Sequence, residues 1–217
     1  MSNRAMIYVD GFNLYFGMKE SGCRKHYWLN VHSLATKLVE SRGLIPVATK
    51  YFTSRIDGAK PSDPPQIARE RDEKRNRQTT FLDALGTLGN VQIIEGKFLT
   101  SNEKCYKCKA MVKTPREKMT DVNIATELLV DAFQDKFDVA YVVSGDSDLA
   151  PPIVAVRQHF KTKSVYVAFP PSRFSKHLST VATGYFRINE PMLRASQLPD
   201  EIKFPSGVTL RRPPSWR

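Results

Sequence analysis

Asp138–Asp148 reads DVAYVVSGDSD. The run from Asp138 to Ser144 is almost continuously apolar, the pattern of a strand buried on both faces of a parallel sheet. It ends in Gly145, and two acids, Asp146 and Asp148, follow. The N-terminal stretch Ala5–Asp10 (AMIYVD) has the same design: a short apolar run, a terminal acid, then Gly11. Both read as buried strands that stop at a polar end.

Working outward, apolar residues at Val31, Leu34, Ala35, Leu38 and Val39 predict a helix over Asn30–Ser41, with Asn30 as its cap and Gly43 beyond its end. Leu44–Ser54 reads as a strand, Asp57–Pro65 as a loop, Gln66–Leu88 as a highly charged helix and Val91–Leu99 as a third strand. Thr100–Lys118 is polar, basic and irregular. Thr120–Gln134 is the clearest helix, with Thr120 as cap and a stripe of Val122, Ala125, Leu128, Leu129, Ala132 and Phe133. Asp148–Phe160 is helical, its Pro151 and Pro152 fitting only the first turn. Ser164–Phe169 is a strand, Ser172–Ala182 a short helix and Tyr185–Ile188 an edge strand. Strands alternating with helices imply one α/β domain over residues 1–189, in three α/β/α layers with a mostly parallel central sheet. Residues 190–217 form a C-terminal extension, and its end, Pro205–Arg217, is rich in proline and arginine and reads as a flexible tail.

Composition bounds the function. The chain has 217 residues, enough to bury a core without disulfides; 41% are hydrophobic and 25% charged, as in a soluble globular protein. No apolar stretch approaches the roughly 20 residues of a membrane helix. Ala5–Val9 is too short for a signal peptide, so the expected location is cytoplasmic. Lysine and arginine total 33 against 22 acids, a net charge of +11. That surplus points to a polyanionic partner, nucleic acid before membrane. Three cysteines cannot form a closed disulfide framework.

In open α/β sheets the working site lies beyond the carboxyl ends of the strands. Asp10, with Asn13 three residues on, follows the first strand. Asp146 and Asp148 follow the strand that ends at Ser144, and Asp121 sits in the first turn of the clearest helix. Singly, each acid has an ordinary structural use as a turn or helix-end residue. If the two strands are neighbours, the four can share a pocket. Clustered carboxylates repel and raise one another's pKa, which a cation relieves. Oxygen ligands without histidine or thiolate select Mg²⁺ or Mn²⁺. Such an ion activates water for attack on a phosphodiester.

VDGFNLYFG (Val9–Gly17), KMTDVNIATELLVDAF (Lys118–Phe133) and VVSGDSDLAPPI (Val142–Ile153) together resemble the NYN-domain family of PIN-like nucleases, including its bacterial LabA-like group. The resemblance runs from about Ala5 to Ile188. It implies a three-layer α/β/α PIN-like fold and RNA cleavage dependent on Mg²⁺ or Mn²⁺. It assigns metal binding and catalysis to Asp10, Asp121, Asp146 and Asp148, with Asn13 and Ser144 as polar supports. Ser147 reads as a helix cap.

Cys105 and Cys108 form half of a zinc knuckle, and Cys23 with His26 offers two more ligands, so a Cys₃His Zn²⁺ site is arithmetically available. The alternative is free thiols in a polar loop. From Lys97 to Lys118 there are seven basic residues and two acids. Lys104, Lys107, Lys109, Lys113, Arg116 and Lys118 are expected to grip an RNA backbone, with Tyr106 stacking on a base. Arg173 and Lys176 can flank the same cleft, and a homodimer would suit so small a nuclease. The leading expectation is therefore a metal-dependent ribonuclease. The competing one is a noncatalytic RNA- or protein-binding module of the same fold. A dinucleotide-binding or nucleophile-elbow enzyme lacks its motifs here.

Overall fold

β1 (Arg4–Asp10) lies inside a six-stranded sheet and feeds two cores at once. Ala5, Ile7 and Val9 enter one core, Met6 and Tyr8 the other, and all five are buried. This is the period-two alternation of a strand with no solvent face. The structure, a computed structural model, describes residues 4–104, 106–204 and 207–217, and along 98–103 and 112–118 the backbone path alone.

The sheet order is β3 (Val91–Glu95), β2 (Ile45–Thr53), β1, β6 (Val139–Val143), β7 (Ser164–Phe169) and β8 (Gly184–Arg187). Every neighbouring pair is parallel. Residues of α1 (Gly11–Glu20), α2 (Val31–Glu40) and α3 (Pro65–Gly86) pack into the core on one face. Those of α4 (Thr120–Phe133), α5 (Ala150–His159) and α6 (Lys176–Val181) pack on the other. These are the three expected layers. From β1 the sheet is built outward in one direction to β3, and from β6 in the other to β8. The crevice beyond the carboxyl ends of β1 and β6 is therefore the topological switch point, where open α/β sheets place ligands. Val9 pairs with Val143, which brings Asp10 and Ser144 out side by side.

Five local expectations change. The third strand ends at Glu95, and after Gly96 the chain starts a separate hairpin. In place of an irregular insert, β4 (Lys97–Lys104) and β5 (Met111–Lys118) pair antiparallel from Lys97↔Lys118 to Lys104↔Met111. The cap of α4 falls on Met119 at φ 78°, so Thr120 is the first helical residue. The buried stripe of α4 is also rotated: Ile124, Leu128, Asp131 and Ala132 are buried, while Val122 and Phe133 face solvent. Asp131 is inside because Tyr8 Oη donates to its Oδ2 at 2.8 Å and the Lys50 ammonium also reaches it. Finally, the helix expected from Asp148 begins with a separate 3₁₀ turn, Ser147–Leu149, and α5 starts at Ala150.

The extension after Asn189 is folded against the domain. Asn189 caps α7 (Glu190–Arg194), and β9 (Glu201–Lys203) pairs antiparallel with β10 (Thr209–Arg211). The Pro- and Arg-rich end closes in a 3₁₀ turn whose Trp216 is buried against Tyr27, Trp28 and Phe81, at ring separations of 5.7, 6.3 and 6.0 Å. Proline content suggests a loose tail, but a single large aromatic at its end supplies the burial that orders it.

Candidate acidic cleft

Asp10 is both the last residue of β1 and the cap of α1. Its Oδ1 accepts from Asn13 N at 2.9 Å. Its Oδ2 accepts from Ser144 Oγ at 2.9 Å, in a pair buried beneath the surface. Ser144 Oγ in turn accepts from Asp146 N at 3.0 Å, and Asn13 Oδ1 accepts from Gly145 N at 2.8 Å. Asp146 Oδ1 accepts from Asp148 N at 3.0 Å and so caps the 3₁₀ turn. The cap is therefore Asp146, not Ser147, which is the first residue of the turn and exposed. One chain of hydrogen bonds thus ties the end of β1 to the loop after β6 and fixes both carboxylates.

Two glycines permit this close fit. A Cβ on Gly11 would stand 2.6 Å from the Tyr51 ring and 2.7 Å from Phe52 O. A Cβ on Gly145 would stand 3.0 Å from Arg173 Cβ. Side chains flanking the cleft are also aimed by left-handed backbone just ahead of them, Met119 (φ 78°) before Asp121 and Ser172 (φ 56°) before Arg173. Such conformations cost free energy and cluster at functional sites.

The cleft has a volume of about 220 Å³ and is lined by Asp10, Phe12, Asn13, Phe16, Asp121, Asp146 and Arg173. Burial, then the charges of Asp146 and Asp148, push the Asp121 carboxyl above its ordinary 3.8. Asp148 is exposed beside the cleft and acts on Asp121 through space. Three carboxylates thus line one space, and a fourth lies close enough to be felt. Among the described residues, no three acidic, histidine or cysteine side chains form a ready-made metal cage. That arrangement suits a hydrated hard cation held through one or two carboxylates, with water completing its shell, as Mg²⁺ prefers. The raised Asp121 is the observation that a cation would answer.

The remaining expected residues divide. Arg173 lines the cleft and its guanidinium pairs with Glu20. Lys176 begins α6, exposed and outside the lining. Lys104, Tyr106, Lys107 and Lys109 are exposed at the hairpin end, with Lys109 Nζ 4.9 Å from the Tyr106 ring centre. The side chains of Lys113, Arg116 and Lys118 lie outside the described residues. So does Cys105, which leaves the Cys₃His set without one of its members. Cys23 and His26 are buried, His26 Nε2 lies 3.2 Å from Glu190 Oε1, and Cys108 is exposed.

Phe12 and Phe16 are cleft residues that the sequence reading missed, because it assigned no element between Asp10 and Asn30, where the structure has α1. The buried face of α1 is Gly11, Leu14, Gly17 and Met18, and Phe12 and Phe16 fall off it.

The molecule is a doubly wound parallel α/β sheet with carboxylates lining the crevice at its switch point. The chain belongs to the NYN domain family, whose model matches residues 4–189. It is 28% identical to 6-hydroxy-3-succinoylpyridine 3-monooxygenase HspA of Pseudomonas putida, over 98% of this chain and 75% of that one. A solved structure of a protein of unknown function from Vibrio parahaemolyticus shares the fold, with a TM-score of 0.52 at 18% identity, covering 91% of this chain and 97% of that one. No helix among the described residues is long and apolar enough to cross a membrane.

Proposed function

We propose that the protein is a metal-dependent ribonuclease acting at the cleft between β1 and β6. The observation that carries this reading is the convergence of Asp10, Asp121 and Asp146 at the switch point of a NYN domain, with Asp121 held above its ordinary pKa by burial and then by the charges of Asp146 and Asp148. Asp121, Asp146 and Asp10 would hold Mg²⁺ or Mn²⁺ directly or through water, with Asp148 at the rim. When bound, such an ion supplies charge for the developing phosphorane and lowers the pKa of a water.

The chain's own residues do the rest. Ser144 and Asn13 hold Asp10 and the Gly145–Asp146 backbone in register, so the acids need not reorganise at the moment of reaction. Asp148, exposed at the rim, would complete the ion's shell or orient the attacking water. Arg173 offers a guanidinium to a phosphate oxygen at the same cleft. The exposed lysines of the hairpin add nonspecific grip on the backbone. A Zn²⁺ on Cys105 and Cys108, and a homodimer, remain part of this proposal, each to be tested by metal analysis and by solution mass.

The deciding experiment is cleavage of labelled single-stranded and structured RNA with Mn²⁺, with Mg²⁺ and with EDTA. Wild type is expected to cut with either metal and stop in EDTA. Asp146→Asn is expected to be at least tenfold slower, on the order of the factor lost when one electrostatic group is removed from a phosphoryl-transfer site. Equal inactivity of both proteins on RNAs that still bind would move the assignment to a binding module. The relative's name favours a second reading, oxidation of a pyridine ring. Consumption of 6-hydroxy-3-succinoylpyridine with oxygen and a reductant, without RNA cleavage, would install it.

A further inference from the structure

We propose that Phe16, with Phe12 beside it, is a stacking platform for an unpaired base of the strand held at the acids, so that the substrate is single-stranded. This rests on the ribonuclease reading and names its substrate class. Phe12 and Phe16 stand one helical turn apart on α1 and line the same cleft as Asp10, Asp121 and Asp146. Their rings are nearly parallel, at 28°, with centroids 6.3 Å apart. Phe16 is 40% exposed, an apolar ring left in water at the mouth of a polar site. Its position is fixed from behind. Tyr15 meets it edge-on at 5.3 Å, and Tyr27 supports Tyr15 at 5.0 Å.

One cation lies against the Phe16 ring and another lines the same cleft. Lys19 Nζ lies 5.9 Å from the Phe16 centre, and Arg173 lines the cleft with a buried Nε that has no hydrogen-bond partner among the described residues. A flat, half-exposed π-face with a lysine against it and an arginine in the same cleft matches a planar base on a phosphate backbone. A base within a duplex is already stacked on both faces and cannot lie on Phe16, whereas an unpaired base can.

The test is oligonucleotide binding by the full chain in Ca²⁺, read by fluorescence anisotropy, with Mn²⁺ cleavage run in parallel. The probes are a single-stranded RNA octamer, the same backbone with abasic positions, and a blunt duplex. The octamer should bind tighter than the other two. Phe16→Ala and Phe16→Leu should weaken octamer binding by about five- to 100-fold, the range for loss of one stacked base. Both should leave the abasic strand unchanged, and Phe16→Trp should restore the octamer. Thermal unfolding checks that the variants fold. RNA that is bound and cut with no preference for bases, or a Phe16→Leu equal to wild type, overturns the platform and leaves the nuclease standing. Neither binding nor cleavage of any strand overturns the reading beneath it as well.

Discussion

Asp131 is a wholly buried carboxylate on the far side of the sheet from α1, and its partners explain how a charged residue came to occupy a core position. Burial alone would raise its pKa. Hydrogen bonds from Lys50, Tyr8 and Lys136 outweigh that and hold it below its ordinary 3.8. Lys50 is itself buried and also reaches Glu127 at 2.6 Å. Because the folded pKa is depressed, the stabilisation is complete above 3.8 and is lost as pH falls through the lower folded value. Acid unfolding should therefore show this carboxylate as a step below that point. Asp131→Asn leaves the buried Lys50 ammonium with Glu127 as its carboxylate partner and should cost about 1–3 kcal/mol in thermal unfolding, less than the loss of a sole partner would. Pairing Asp131→Leu with Lys50→Met should recover part of the loss seen in Asp131→Leu alone, since it removes both charges but leaves Tyr8 Oη without its acceptor. At this scale Asp10 and Asp146 were legible because they end or follow buried strands, and Asp121 because it opens the clearest helix. Asp131 was not, because its partners Lys50 and Tyr8 lie 81 and 123 residues away in sequence.

Elements were legible where one face had to be buried. β1, β6 and β7 announced themselves by apolar runs, and α2 by its spacing and its Asn30 cap, whose Oδ1 accepts from Ser33 N at 2.9 Å. The hairpin of β4 and β5 was invisible because KFLTSNEK and MVKTPREK carry little apolar alternation and even a proline. Backbone pairing from Lys97↔Lys118 to Lys104↔Met111 defines that hairpin. Its exposed lysines can then serve binding without serving stability. Replacing Lys104, Lys107 and Lys109 together with glutamate should weaken RNA binding and lower the salt slope by up to about 0.7 for each phosphate that goes unneutralised. The thermal midpoint should not move, since all three side chains are exposed. Anisotropy titrations at several salt concentrations check the first outcome, and calorimetry the second.

Across the whole molecule the C-terminal extension is the element that proline content hid. Trp216 closes an aromatic cluster with Tyr27, Trp28 and Phe81 and reaches, through Tyr27 and Tyr15, the helix that carries Phe12 and Phe16. Trp216→Ala should cost about 3–5 kcal/mol, a fall of roughly 10 °C for a chain of this size. Trp216→Phe should cost less. A differential scan checks both, and a parallel loss of RNA affinity in the alanine variant would show that the cluster steadies α1.

The bond from Ser144 Oγ to Asp10 Oδ2 joins residues 134 positions apart. Closing a loop of that length carries an entropic cost of about 4 kcal/mol before any interaction within the site repays it. β1, β2 and β3 lie close in sequence and can pair early, but the acids meet only when β6 arrives beside β1. A refolding chain would regain sheet signal first and the ability to bind at the cleft last, so the cleft serves as the molecule's own clock for the end of folding.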